Sequence, residues 1–371
     1  MVGSSPQKCL VHVGQPKAGS TAIQRALFRQ RLSLKDQRIY YWQGFQPSFF
    51  EIGGFPIEAG IGFDAGNYAL TSVFMPAPPP FMKARGVTEL AFQEIGELYW
   101  NSLQASVASQ RKGSTTVIST EVLWHSPRLV DFVSRLHGVF DSVKLLVYLR
   151  NPLDHYPSGI GERFKGLAPL EQLVPSVWGS SPAEVVERIS TAVEPHNLIV
   201  RPYPSGDRLS GDILHDFFSV LSGSVGQEID AVMTAERSNR SLPGAFFAWL
   251  VLESGLYVDG TNRNREEDFL RLARLRRLLL QEKRLEGLPT LNVRGSRLES
   301  TLLSRFGESW NVLCKSYFAN TGALQAAETV RVNGGRSGSA GEIAQLVEWL
   351  SSYRDTRLSR WLSVAWGDGG L

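Results

Sequence analysis

The sequence predicts a three-layer α/β fold, with a central parallel sheet flanked by helices and a mainly helical C-terminal extension. Three observations carry this prediction. Short apolar, β-branched runs alternate with helically spaced segments from Lys8 to Leu221, the pattern of strands joined by crossover helices. The first of these units, Cys9 to Leu27, passes from strand to glycine-bounded turn to helix without a spacer, which is the layout of a phosphate-binding loop (P-loop). From Leu242 onward, helical spacing dominates.

Composition sets the bounds. A chain of 371 residues that is 43% apolar can bury one large core or two ordinary ones. Because the alternation runs on without a linker, a single domain over 1–371 is expected, with an α/β core to 221 and helices from 222. The formal charge of +3 gives no bulk attraction to nucleic acid or membrane, while leaving room for a local basic pocket. Two cysteines, Cys9 and Cys314, support neither a disulfide framework nor a cysteine zinc site. Met1 to Lys8 lacks the apolar core of a signal peptide, and no run approaches a membrane span. A soluble, cytoplasmic protein is the expectation.

The elements follow in order. Leu10, Val11 and Val13 form the first strand, and Ala22, Ile23, Ala26 and Leu27 mark a helix ending near Leu34. Arg38–Trp42 reads as a short strand. Residues 43–83 hold recurring glycines and the run Pro76-Ala77-Pro78-Pro79-Pro80, a composition against both helix and ladder. Their many aromatics argue against plain disorder, so this segment is read as a flap on the acceptor side. A helix over Val87–Gln110, a strand over Thr115–Ser119 and a helix over Arg128–Phe140 come next. Val143–Leu149 is the most apolar run, suited to the centre of a parallel sheet. A helix over Pro182–Val193, a strand over Asn197–Tyr203 and a helix over Asp212–Leu221 complete the core. The leucine-bearing, basic Glu266–Glu286, then Leu298–Phe318 and Glu342–Trp366, read as helices, with a Gly/Ser-rich break at Asn333–Gly341.

The loop defines the chemistry. Gly14 and Gly19 allow backbone amides to turn inward, and a helix starting near Ser20 offers unbonded N–H groups to an anion. A nucleotide-triphosphate loop places its lysine directly after the second glycine. Here the order is Gly14-Gln15-Pro16-Lys17-Ala18-Gly19-Ser20-Thr21, with the cation displaced into the loop. A second cluster begins at Arg150, delivered by a strand tip, with Ser158 about two helical turns further on. An arginine so placed can grip a phosphate with two N–H groups.

These residues resemble the sulfotransferases that use 3′-phosphoadenosine 5′-phosphosulfate (PAPS). The loop is similar to their 5′-phosphosulfate loop, and Arg150 with Ser158 to their 3′-phosphate pair. The likeness covers about the first 220 residues. It implies a P-loop-type fold and transfer of a sulfuryl group from PAPS, leaving PAP, to a hydroxyl or an amine of a glycan, lipid or secondary metabolite, with no metal and no nucleic acid. It also implies nucleotide contacts from Gln15, Pro16, Lys17, Ala18, Gly19, Ser20, Thr21, Arg150, Ser158 and Tyr203, and a catalytic role for Lys17. Ser238-Asn239-Arg240-Ser241-Leu242 is similar to a short stretch of bacterial members, without an assigned role.

Three candidates stand for the base. Ser119-Thr120-Glu121 occupies the place where many cytosolic sulfotransferases have Lys-Thr-His, which points to Glu121. A solvated glutamate has a pKa of about 4.3 and would need burial or like charge to raise it. His125 starts nearer neutrality but lies four residues beyond the matched position. Glu51 or Glu58, from the 43–83 segment, is the third source. The rival classes are a P-loop kinase or NTPase, which should hold Mg²⁺ with an aspartate beyond an apolar strand, and a non-catalytic protein that binds bisphosphate nucleotides or glycans.

Overall fold

Strand β1, Lys8–Val13, is hydrogen-bonded on both sides and is the third of five strands, the middle of the sheet. A computed structural model of the chain describes residues 6–42, 50–52, 55–57, 68–75, 88–165, 168–177, 181–204, 213–229, 242–254, 288–318 and 339–367, with single positions between 272 and 279. The five-stranded sheet runs β2-β5-β1-β6-β7, with β2 at Ile39–Tyr41, β5 at Thr115–Thr120, β6 at Ser142–Leu149 and β7 at Leu198–Pro202. Every pairing in it is parallel. A two-stranded antiparallel ribbon, β3 (Phe50–Ile52) with β4 (Phe55–Ile57), lies in the segment read as irregular.

Side chains alternate across the sheet. One face presents Leu10, Val117, Leu146 and Tyr148, which share a core with Ile23 and Leu27 of helix α1 (Ser20–Asp36) and with Phe217 and Leu221 of a helix over Ile213–Val225. Each such apolar side chain withdrawn from water contributes about 1.5–3 kcal/mol. In the same unit, helix α2 (Tyr68–Thr71) is followed by a short 3₁₀ turn over Ser72–Phe74, and helix α3 runs over Glu89–Ser109. Trp100 of α3 meets Phe74 and Phe132 edge-on, Phe132 belonging to α4 (Leu129–His137). Helix α4 is shorter than the expected Arg128–Phe140. It stops where Gly138 begins the turn into β6.

The chain forms two compact units that do not divide at 221/222. Residues 1–150 and 182–236 make one, and residues 151–181 and 237–371 the other. The first therefore also holds α6 (Pro182–Ser190) and α7 (Ile213–Val225). The second takes α5 (Pro152–Lys165) because Tyr156, Ile160 and Phe164 are buried in a core with Phe246 and Leu250 of α8 (Gly244–Leu252), Leu302 of α9 (Arg297–Leu313) and Leu346 of α10 (Ser339–Ser351). Asn151 caps α5, its Oδ1 accepting from the Leu153 amide at 2.9 Å, and Pro152 fixes the first turn.

Two expected helices are corrected. Glu342–Trp366 is α10 followed by α11 (Thr356–Gly367). Asp355 starts the second helix, its Oδ1 accepting from the amides of Arg357 and Leu358 at 2.9 Å each. Leu298–Phe318 is α9 followed by a single π turn, Cys314–Phe318. Most of Glu266–Glu286 lies outside the described residues, but Leu272, Leu275 and Leu279 are buried in the second core. Ser238–Ser241 and most of 43–83 also lie outside. Among the described residues, no helix is long and apolar enough to cross a membrane.

Candidate functional site

Parallel strands end at one edge, so the residues that follow β5, β1, β6 and β7 stand side by side there. They are Glu121, Gly14, Arg150 and Tyr203, in that spatial order. The ladder carries on into the site. The Gly14 amide donates to Thr120 O at 2.9 Å, and the Tyr203 amide to Leu149 O at 2.7 Å.

The loop from Gly14 is shaped by two conflicting demands. The Ala18 amide donates to Gln15 O at 3.0 Å, closing a four-residue turn with Pro16 second and Lys17 third. Lys17 has φ 68°, so the arrangement is that of a type II turn, whose third place ordinarily favours glycine. A side chain in left-handed backbone costs about 1–2 kcal/mol. The strain falls on the residue that carries the loop's cation, a common location for such strain in functional sites. Arg150 secures the same peptide, its Nη1 donating to Lys17 O at 2.9 Å.

Gly19 ends the loop in left-handed backbone, φ 84°, and starts α1 without a side-chain cap. Its carbonyl accepts from the amides of Ala22 and Ile23, and the Ser20 and Thr21 amides precede the first intrahelical bonds, so they point out of the helix end. Ser20 is 1% exposed, and its Oγ has no hydrogen-bond partner among the described residues. A buried hydroxyl in that state calls for an acceptor. A Cβ added at Gly14 would overlap Ser20 Oγ and stand 3.2 Å from Glu121 Cγ. The Glu121 side chain therefore packs on the loop beside Ser20. A Cβ at Gly19 would stand 2.9 Å from Tyr203 Cε2, and the Arg150 guanidinium lies 5.2 Å from the centroid of the Tyr203 ring. Tyr203 thus packs beside both the loop at Gly19 and the Arg150 guanidinium.

The structure brings Gln15, Lys17, Gly19, Ser20, Glu121, Arg150 and Tyr203 together at this edge. Ala18 is fully buried, and Pro16 and Thr21 are half-buried. His125 is exposed at the end of a 3₁₀ turn over Val122–Trp124. Ser158 is half-buried on α5, in the second unit. Glu51 lies on β3 with its side chain outside the described residues, as is all of Glu58.

Two networks beneath the site, one buried and one partly buried, escaped the sequence reading. His12 is fully buried two residues before Gly14 and opposite Ser119 in the register. Its Nδ1 is 2.8 Å from Ser119 Oγ, the tautomer deciding which donates. Burial lowers its pKa from 6.5 to about 3, keeping the ring neutral. Gln24 of α1 donates to Ser119 O at 3.4 Å. On the other side of β1, Asp216 of α7 accepts from Tyr148 Oη at 2.7 Å and from Arg201 through Nε and Nη2. Burial, followed by the charge of Asp216, pushes the Tyr148 phenol well up, so it stays a donor. A polar residue inside an apolar strand was the available signal for each.

No protein-family model and no curated protein matches the chain. Solved structures resemble it, among them three sulfotransferases. One is a sulfotransferase from Alicyclobacillus acidocaldarius, at 16% identity over 65% of this chain and 92% of that one, TM-score 0.33. Another is the sulfotransferase domain of the Synechococcus PCC 7002 olefin synthase, at 14% identity over 74% and 96%, TM-score 0.32. The third is the sulfotransferase domain from the curacin biosynthetic pathway, at 11% identity over 93% and 98%, TM-score 0.31. TM-scores of this size do not establish kinship, so a functional reading must stand on the loop and its neighbours.

Proposed function

We propose that the protein is a PAPS-dependent sulfotransferase acting on a hydroxyl, or an amine, of a glycan, lipid or small-molecule acceptor. The observation that carries this reading is a lysine held in left-handed backbone inside an anion cradle, with an arginine from the next strand fastened to its carbonyl. The cradle fits a phosphate. Ser20 Oγ is buried without a partner among the described residues, and the space beside Gly14 admits no Cβ.

PAPS supplies an activated sulfuryl group on a phosphate leaving group. Ser20, Thr21 and the first amides of α1 hold the 5′-phosphate, where the helix end favours negative charge. Arg150 takes the 3′-phosphate, Ser158 being the partner that the sequence resemblance alone implies for it, and Tyr203 lies beside the nucleotide. Lys17 neutralises the charge that develops on the departing oxygen, which removes the need for a metal ion. Glu121 takes the acceptor's proton, with His125, Glu51 or Glu58 as the alternative base.

One observation favours a second reading. Glu121 beside Ser20 pairs a carboxylate with a hydroxyl, as a Mg²⁺-dependent kinase or NTPase would. Thermal melts and calorimetry with adenosine 3′,5′-bisphosphate, and separately with ATP and Mg²⁺, divide the two. At a hundredfold excess over Kd, the bisphosphate should stabilise the fold by about 2.7 kcal/mol, with little change for ATP. Equal stabilisation by ATP overturns the donor assignment. Binding without transfer to any acceptor in a hydroxyl panel would leave a nucleotide-binding protein.

A further inference from the structure

Gln15 is 1% exposed, which leaves its side chain little surface to offer a nucleotide. Its bonds point elsewhere. Its Oε1 accepts from the Arg150 backbone amide at 2.7 Å, and its carbonyl accepts from the Ala18 amide at 3.0 Å. Arg150 returns the connection through its side chain, donating from Nη1 to Lys17 O at 2.9 Å. These three bonds make a closed ring. The Gln15 side chain fixes where Arg150 starts, the Arg150 side chain fixes the Lys17 peptide, and the turn carries Lys17 back to Gln15. Residues 135 apart in sequence are thereby locked as one piece.

We infer that Gln15 is a positioning residue, acting through Arg150 to hold the strained Lys17 peptide and the guanidinium in register, and that it is not itself a nucleotide contact. The inference deepens the donor-binding reading and rests on it for its binding arm. Without the Gln15 acceptor, the Arg150 amide loses its partner in the strand-end turn, and both the guanidinium and the Lys17 peptide lose a fixed origin. Side chains tied into one constraint should show non-additive effects.

The test is a double-mutant cycle with Gln15→Met, which keeps length and shape but removes the acceptor, and Arg150→Ala. Calorimetry reads the affinity for adenosine 3′,5′-bisphosphate. Gln15→Met alone should weaken it about tenfold, the scale of one buried amide left unbonded. In the Arg150→Ala background it should change affinity less than about twofold, since its route of action is gone. A full tenfold loss on top of Arg150→Ala would make Gln15 an independent contact and overturn the inference.

Hydrogen exchange of the Arg150 amide, in the protein without nucleotide, is the second arm. Gln15→Met should speed it at least about tenfold, and unchanged exchange would also overturn the inference. A wild-type protein that ignores the bisphosphate would sink the donor reading alone, because the exchange arm needs no ligand. Should Gln15→Met fail to fold, Gln15→Asn, one methylene too short to reach, takes its place in both arms.

Discussion

The substitution Gly14→Ala tests how tightly the cradle is packed. The added methyl would overlap Ser20 Oγ, stand 3.0 Å from Ser20 Cβ and reach 3.2 Å from Glu121 Cγ. Ser20 heads α1, so its Cβ cannot retreat without moving the helix, whereas its hydroxyl and the Glu121 side chain can rotate away. Overpacking of this kind costs about 1–3 kcal/mol, and the cheapest relief swings the Ser20 hydroxyl out of the cradle. A hydrogen bond to a charged phosphate is worth about 1.5–3 kcal/mol, so bisphosphate affinity should fall on the order of 10- to 100-fold. Calorimetric titration of wild type, Gly14→Ala, Ser20→Ala and the double variant separates the two costs. With the hydroxyl removed the worst overlap is relieved and the close approaches to the residue-20 Cβ and Glu121 Cγ remain, so the melting temperature of the double variant should recover in part while its affinity stays low. Gly223→Ala is the control. No atom lies within 4 Å of its added Cβ on α7, and a helical Gly→Ala change gains about 0.5–1 kcal/mol. Binding by Gly14→Ala within twofold of wild type would refute the packing argument.

Two further outcomes follow from buried or strained positions. Lys17→Gly should raise the melting temperature by about 1–3 °C, because glycine relieves a left-handed strain of about 1–2 kcal/mol that exceeds its own entropy cost, while the proposed sulfuryl transfer should be lost. A lower melting temperature would mean that Lys17 is not strained. His12 predicts acid sensitivity. Its pKa is about 3 when folded and near 6.5 when unfolded, so between those values the unfolded chain binds the extra proton. Stability therefore rises with pH across that window, by up to about 1.4 kcal/mol per pH unit, and is lost as pH falls through it. Calorimetric melts of wild type and His12→Gln from pH 7.5 to 4 should converge on acidification. Parallel curves would remove His12 from the balance.

Local patterns were legible and pairings were not. The strand, loop and helix from Lys8 to Asp36 could be read because apolar spacing switches period at a glycine pair, and four strand tips followed from four apolar runs. Which tips are neighbours depends on sheet order, which no local signal encodes. For that reason Glu121 could be matched to a position, but its packing against Gly14 and Ser20 could not be foreseen. The resemblance implied a nucleotide contact from Gln15, and no local signal announced that its Oε1 accepts from the amide of Arg150, far along the chain. The left-handed Lys17 had half a signal, since Pro16 fits the second place of a type II turn while lysine opposes the third. The break between α10 and α11 was available as an aspartate cap at Asp355, and the uninterrupted apolar spacing concealed it. His12 is a polar interruption in an apolar strand that went unread, and only burial on both faces of a central strand explains its neutral state.

The backbone passes from one unit to the other after residues 150, 181 and 236. The C-terminal helices are therefore not a detachable cassette. A gene shortened after residue 236 would still encode α5, whose Tyr156, Ile160 and Phe164 would have lost the aromatic and leucine partners that now enclose them. That sticky remnant would begin at the residue immediately after Arg150. Trimming this protein from its far end would therefore leave uncovered apolar surface in the middle of the chain, even though every loop residue remained encoded.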